Sequence, residues 1–210
     1  MYKILAIFTS INLQKVNSIY WMRLTSFINI LQPIFNFMIT IISATNREAS
    51  VSAKVAGIYS AFLSELNVDN QVMDLSELPK DFLFSNFYGS STAPFVEIVE
   101  KYFGQSEKFI VVSPEYHGSY PGVFKALVDC IGGEMIKAKK VALVGVASGR
   151  IGNLRGMDHL TALFHHLKAE VYSSKPKLSQ IHKILDVTGK LNDSETEALI
   201  KAQIKGFIAF

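Results

Sequence analysis

The sequence predicts an α/β three-layer sandwich around a five-stranded parallel sheet. Three observations carry the prediction. Short apolar runs such as Phe109-Ile110-Val111-Val112 and Val141-Ala142-Leu143-Val144 lack polar alternation, as strands buried on both faces do. Segments with helical spacing of apolar residues separate these runs. Strand and helix follow one another at roughly 30–40 residue intervals, which implies right-handed crossovers with helices on both faces.

Each element has its own signal. The β-branched run Met38-Ile39-Thr40-Ile41-Ile42 ends at Ser43 and reads as the first strand. Ser50 or Ser52 caps a helix from about Val51 to Leu66, with Val55, Ile58, Phe62 and Leu66 on one face. Gln71 to Leu75 is a short strand. A connection from Ser76 to Thr92 carries Phe82, Phe84, Phe87 and Tyr88, which either wall a pocket or pack beneath the loop. Pro94 opens a helix to about Phe103. Phe109 to Ser113 forms the third strand, and Pro114 stops it. Pro121 takes the first helical position of a helix ending at Ile131, before Gly132-Gly133. Val141 to Val146 is the fourth strand. A helix spans about Asn153 to Lys168, Val171-Tyr172 forms a short fifth strand, and Asp193 or Ser194 caps the last helix.

Residues 1–37 differ in kind. They contain Lys3, Lys15 and Arg23 but no Asp, Glu or Gly. Residues 38–210 then hold 18 basic and 18 acidic residues, with no basic stripe of the kind a nucleic-acid partner requires. A membrane anchor needs about 20 mostly apolar residues. Asn29, Gln32, Pro33 and Asn36 interrupt the most apolar window, and no clear secretory signal is present. The favoured expectation is that the fold starts at Met38 and that 1–37 is an AT-rich upstream stretch translated in frame. An amphipathic or membrane-associated extension is the alternative, and it alone would involve a membrane. The single cysteine, Cys130, excludes an internal disulfide framework and points to a reducing, cytoplasmic setting. Its place in an apolar helical pattern reads as core rather than nucleophile.

Chemistry concentrates in the loops after strands one, three and four. The first, Ser43-Ala44-Thr45-Asn46-Arg47-Glu48-Ala49-Ser50-Val51-Ser52, combines hydroxyls, an arginine and a helix N-terminus, which suits one phosphate. A plain capping loop is the competing reading. The glycines of a dinucleotide fingerprint or P-loop are missing. The second, Ser113 to Gly122, is rich in backbone amides, and Gly118 permits a tight turn. The third, Ala147-Ser148-Gly149-Arg150-Ile151-Gly152-Asn153, allows close approach of a ligand to the backbone. In a sheet of order 2-1-3-4-5 the three loops meet at the switch point, where ligands bind.

The segment Pro114-Glu115-Tyr116-His117-Gly118-Ser119-Tyr120-Pro121-Gly122-Val123-Phe124-Lys125-Ala126-Leu127-Val128-Asp129 resembles the P-E-Y-N-G-S-x-P-G-x-L-K-x-x-x-D signature of the NAD(P)H-dependent FMN reductases of flavodoxin-like fold. The first loop resembles their G-S/T-x-R-x-x-S phosphate loop and the third their S-x-G-x-x-G-G turn. The resemblance runs from Met38 to Phe210. It implies FMN as cofactor and NADPH or NADH as co-substrate. Ser43, Thr45, Arg47, Ser50 and Ser52 would meet the FMN phosphate. Pro114, Glu115, Tyr116, His117, Gly118 and Ser119 would border the flavin ring, and Ser148, Gly149 and Arg150 would close its other side. It also implies a homodimer or homotetramer and a small-molecule electron acceptor such as a flavin, quinone or azo compound. Three positions depart from the pattern: Ala44 for Gly, His117 for Asn and Asn153 for Gly. Histidine can donate and accept like asparagine, and asparagine tolerates left-handed backbone.

The cofactor would carry the redox chemistry. No side chain is required as acid or base, although His117 is placed to supply a proton to the acceptor. An FMN-binding electron carrier without nicotinamide activity is the alternative, and the neutral charge balance disfavours it because such carriers dock through strongly acidic surfaces. Asp158, His159, His165 and His166 lack a usual metal-ligand set and read as solvated or interface residues. Lys137, Lys139 and Lys140 read as solvated, with attraction of an NADPH phosphate as a further expectation.

Overall fold

The computed structural model describes residues 37–87 and 89–210. The expectations for residues upstream of Phe37 and for Tyr88 lie outside the described residues. Alternating side chains sort each central strand between two apolar layers. From β1 (Met38–Ser43), β3 (Ser106–Pro114) and β4 (Lys140–Val146), the residues Ile39, Ile41, Ile110, Val112, Ala142 and Val144 pack on one face. There they meet α1 (Val51–Glu65) and α7 (Ser194–Ala209) through Val55, Tyr59, Leu63, Ile200, Ile204 and Phe207. On the other face Ile42, Phe109, Val111, Val141 and Leu143 meet α3 (Ala93–Val99), α4 (Gly122–Ile131) and α5 (Leu154–His166). Each Val, Leu, Ile or Phe among them taken fully out of water contributes about 1.5–3 kcal/mol, so two dry interfaces hold the sandwich together.

The strand order is β2-β1-β3-β4-β5, with β2 at Asn70–Asp74 and β5 at Glu170–Val171, and every pairing is parallel. This is the order the sequence predicts. A two-residue strand the sequence reading did not foresee, β6 (Lys177–Leu178), also pairs with β4, beside Gly145 and Val146. Between β5 and β6 the chain leaves the sheet, and a side chain takes its place. Gln203 of α7 donates from Nε2 to Leu143 O at 3.0 Å and to Ser174 O at 2.8 Å. Its Oε1 accepts from Tyr59 Oη at 2.6 Å. Burial pushes the Tyr59 phenol far above its ordinary range.

At the rim where β3 and β4 begin, lysines cap α7. Lys108 Nζ donates to Phe207 O at 3.1 Å and Ile208 O at 2.8 Å, and sits 4.4 Å from the Phe37 ring centroid. Lys140 Nζ donates to Phe210 O, and Lys139 Nζ to Ser106 O at 2.7 Å. Cations suit a helix C-terminus. Burial, with Lys140 nearby, lowers the Lys108 pKa. The expectation of solvated lysines therefore fails for Lys139 and Lys140. β4 spans seven residues and puts about 23 Å of strand between these lysines and the loops after it.

Element boundaries shift for local reasons. Ser50, not Ser52, caps α1, accepting from Ala53 N at 3.0 Å, and Asp193 caps α7, accepting from Thr196 N at 2.9 Å. Pro121 has ψ 140° and is the cap of α4 rather than its first residue. The helix from Pro94 loosens after Val99 into a wider π-type turn over Glu100–Gly104. Two single-turn helices, α2 (Phe82–Ser85) and α6 (Ile181–Ile184), fall in segments with no periodic signal. Cys130 is half-buried, and burial, then Asp129, raises its thiol pKa, as befits a packing residue. Among the described residues no helix is long and apolar enough to cross a membrane.

Candidate active site

Register places the three loops at one rim. Ser43 ends β1 opposite Val112, and Pro114 ends β3 opposite Val146. The chain then turns out of the sheet at neighbouring points on the β1, β3 and β4 ladder. Pro114 is the last paired residue of its strand, and Glu115 N extends the ladder by donating to Val146 O at 3.0 Å.

In the first loop Ser43, Ala44, Thr45, Ser50 and Ser52 are buried, whereas Arg47 is exposed. Ala44 keeps an ordinary negative φ, so its methyl group is accommodated. Thr45 Oγ1 accepts from Arg47 N at 3.3 Å and lies 2.9 Å from Tyr116 Oη. Ser43 Oγ lies 3.5 Å from Ser50 Oγ. The first turn of α1 holds no acidic side chain, unlike that of α7, which holds Glu195 and Glu197. Its leading N–H groups have no intrahelical acceptor. They face the rim as a positive dipole end with Arg47 beside it.

The second loop contains a tight hairpin turn. Tyr116 N donates to Ser119 O at 2.8 Å and Ser119 N to Tyr116 O at 3.1 Å. The corner residues His117 and Gly118 have φ of 52° and 74°, the paired left-handed values of a type I′ turn. A Cβ on Gly118 would meet nothing within 4 Å, so the turn borders open space. Glu115, Tyr116 and His117 are exposed, and Ser119 is half-buried.

Asn153 ties the second loop to the third. It sits at φ 62°, as its left-handed tolerance predicts, and is fully buried. Its Nδ2 donates to Ser113 O at 3.0 Å, Ser113 Oγ at 3.3 Å and Pro114 O at 3.1 Å. Its backbone N–H donates to Glu115 Oε2 at 3.3 Å. Ser148, Gly149 and Arg150 are exposed on the same loop, and Gly149 O accepts from Gln180 N at 2.9 Å.

The structure thus joins the first and second loops through Thr45 and Tyr116, and the second and third through Glu115 and Asn153. The sequence reading missed two participants. The sequence marks Asn153 only through its backbone tolerance, and its left-handed position before a helix is the available signal. His159, read as a solvated histidine, is exposed but lies with Nδ1 2.9 Å from Ser119 Oγ. No signal in the sequence marked that contact.

Chemically, the rim gathers hydroxyls, an arginine and helix amides beside a turn with open space over its glycine. Donors of these kinds can hold an anion.

Comparison with known proteins agrees. The family model described as NADPH-dependent FMN reductase matches residues 37–183. The FMN-dependent NADPH-azoreductase of Staphylococcus aureus (strain USA300) is 28% identical over 152 residues, covering 69% of this chain and 79% of that protein. Among solved structures, the flavoenzyme NAD(P)H:(acceptor) oxidoreductase from Paracoccus denitrificans aligns with a TM-score of 0.68 at 19% identity, covering 82% of this chain and 96% of the other. A flavodoxin of Streptococcus pneumonia aligns with a TM-score of 0.50 at 15% identity, covering 82% and 97%. The two structures share the flavodoxin-like fold with this chain. On the family match, which takes in all three rim loops, the chain belongs to the NADPH-dependent FMN reductase family and is an NAD(P)H-dependent oxidoreductase with FMN as its cofactor.

Proposed function

We propose that the three-loop rim holds FMN and that the protein reduces a small-molecule flavin, quinone or azo acceptor with electrons from NADPH or NADH. The observation that carries this reading is the Thr45–Tyr116 bond at 2.9 Å, which ties the hydroxyl-rich loop to the turn after β3. Ser43, Thr45 and Ser52 offer hydroxyls to the phosphate, and Arg47 offers its guanidinium. Ser50 contributes indirectly, because its Oγ is committed to Ala53 N and fixes where the helix amides begin. Pro114 to Ser119 border the ring, with Gly118 leaving room for it. Ser148, Gly149 and Arg150 close the opposite side. Bound FMN supplies two-electron transfer between nicotinamide and acceptor. The chain's own task is to hold the ring, leave one face open to a nicotinamide, and direct donors to its edges.

The single cysteine and balanced charge support a cytoplasmic enzyme, and the exposed apolar residues Ile151 and Leu154 beside the rim support a homodimer or homotetramer. The domain is taken to span residues 38–210.

Anaerobic addition of NADPH to the FMN-loaded protein tests the reading. Prompt bleaching of the flavin absorbance is expected, followed by recovery with quinone or azo dye. An unchanged spectrum would sink it in favour of an electron carrier. Colourless protein that takes up no FMN would sink both.

A further inference from the structure

The bond between Ser119 and His159 is not required by the packing. α5 is anchored to the core by Met157, Leu160 and Phe164, whereas His159 is exposed. Yet its Nδ1 lies 2.9 Å from the hydroxyl of the turn that borders the site. The polarity of this bond is reversible. With the imidazole neutral and its proton on Nε2, Nδ1 accepts the Ser119 proton, and the hydroxyl shows only lone pairs to the site. With the imidazole protonated, Nδ1–H donates to Ser119 Oγ and frees the serine proton to point elsewhere. One protonation at the surface turns the rim hydroxyl from acceptor into donor.

We propose that His159, acting through Ser119, is the proton source for acceptor reduction, a role that rests on the FMN reading. Nicotinamide gives up a hydride, which is two electrons and one proton. A quinone or azo acceptor reduced to its neutral dihydro form needs a second proton. Ser119 gives its hydroxyl proton to the acceptor oxygen or nitrogen as His159 Nδ1–H reprotonates Ser119. The neutral imidazole keeps its Nε2 proton and recovers the other at Nδ1 through Ser119, whose hydroxyl takes a proton from water once the product has left. The net reaction is NADPH plus acceptor plus H⁺ giving NADP⁺ plus the dihydro acceptor.

Other titratable groups are less well connected. His117, the first choice on sequence, makes no side-chain hydrogen bond among the described residues, and the Glu115 carboxylate is occupied by Asn153 N. Tyr116 is bonded to Thr45. On α5, Arg155 and Asp158 flank the histidine. On α4, which meets α5 through Phe124 and Phe164, Lys125 and Asp129 pair with each other at 2.7 Å. Lys140 and Glu170, on the strands under α5, open their strands at the far rim.

The test compares His159→Gln, which keeps a hydrogen-bonding group but cannot titrate, with His159→Ala. The readout is the ratio of p-benzoquinone to ferricyanide turnover, since ferricyanide takes an electron and no proton. In the wild type this ratio is expected to fall as pH rises through the range where histidine side chains titrate. Both variants are expected to lose about tenfold in the ratio at pH 6, below the usual span for direct general acids, and to show no pH dependence. Full rescue by His159→Gln would make the residue structural and overturn the relay. A second arm uses FMN-free protein. In NMR titrations the amides of His117, Gly118 and Ser119 are expected to follow the His159 imidazole and to stop doing so in His159→Gln. Amides indifferent to His159 would also overturn the proposal. Failure of NADPH to bleach the wild type would instead strike the FMN reading.

Discussion

Asn153 shows how much one side chain can hold. Its amide satisfies two strand-end carbonyls, and Gly156 leaves the space it needs, because a Cβ there would stand 2.1 Å from Asn153 Oδ1. Asn153→Gly keeps the left-handed backbone but strands those carbonyls, at a cost of about 1–3 kcal/mol. Asn153→Ala adds about 1 kcal/mol for φ 62° without a glycine or asparagine. Urea denaturation of the two variants should reproduce that order, and equal losses would refute the backbone contribution. Gly156→Ala should resemble Asn153→Gly, since it displaces the same amide and leaves Asn153 at its own φ. Thr45→Val removes the acceptor for Arg47 N and the partner of Tyr116. About tenfold weaker FMN binding is expected, one hydrogen bond's worth, and flavin fluorescence titration would expose an unchanged affinity. The hydroxyl-rich loop was legible because a capping serine and an arginine at a helix start have a local meaning. The Ser119–His159 contact was not, because it joins residues forty apart through the packing of α5 against α4.

The elements themselves were readable wherever both faces of a strand are apolar or a cap is explicit. β1, β3, β4, α1 and α7 fall within a few residues of their sequence signals. The failures share one cause. β6, α2 and α6 are single turns or two-residue pairings with no period of their own, held by neighbours rather than by pattern. α7 illustrates the tertiary contribution, docking through the buried Tyr59–Gln203 bond and through Lys108 and Lys140 at its C-terminal end. Tyr59→Phe leaves Gln203 Oε1 buried without a donor and should cost about 1–2 kcal/mol. The same tyrosine sets a pH limit. Its folded phenol resists ionisation, whereas the unfolded one ionises near pH 10. The associated stability is complete below about pH 10 and drains away above it. Stability measured from pH 9 to 11 should therefore fall less steeply in Tyr59→Phe than in the wild type, and parallel curves would contradict this. Lys108→Ala should cost about 1–3 kcal/mol by leaving Phe207 O and Ile208 O without a donor.

At the scale of the molecule, binding at the rim is coupled to folding. FMN at a free concentration a hundredfold above its dissociation constant adds about 2.7 kcal/mol, which for a chain of this size raises Tm by about 5–10 °C. Riboflavin, lacking the phosphate, should shift Tm much less in thermal denaturation, and equal shifts would mean that the first loop does not bind the phosphate. Strand order was legible from the family signature at Pro114–Asp129, since periodicity alone does not say which strands are neighbours. The gap between β5 and β6 was invisible in the sequence, because only the folded chain brings Gln203 against Leu143. That gap has a consequence for how copies of the protein meet. With a helix amide standing in for the missing rung, Leu143 O is already taken, so an incoming strand finds no acceptor at that step of β4 and cannot slot in between the two short flanking pieces.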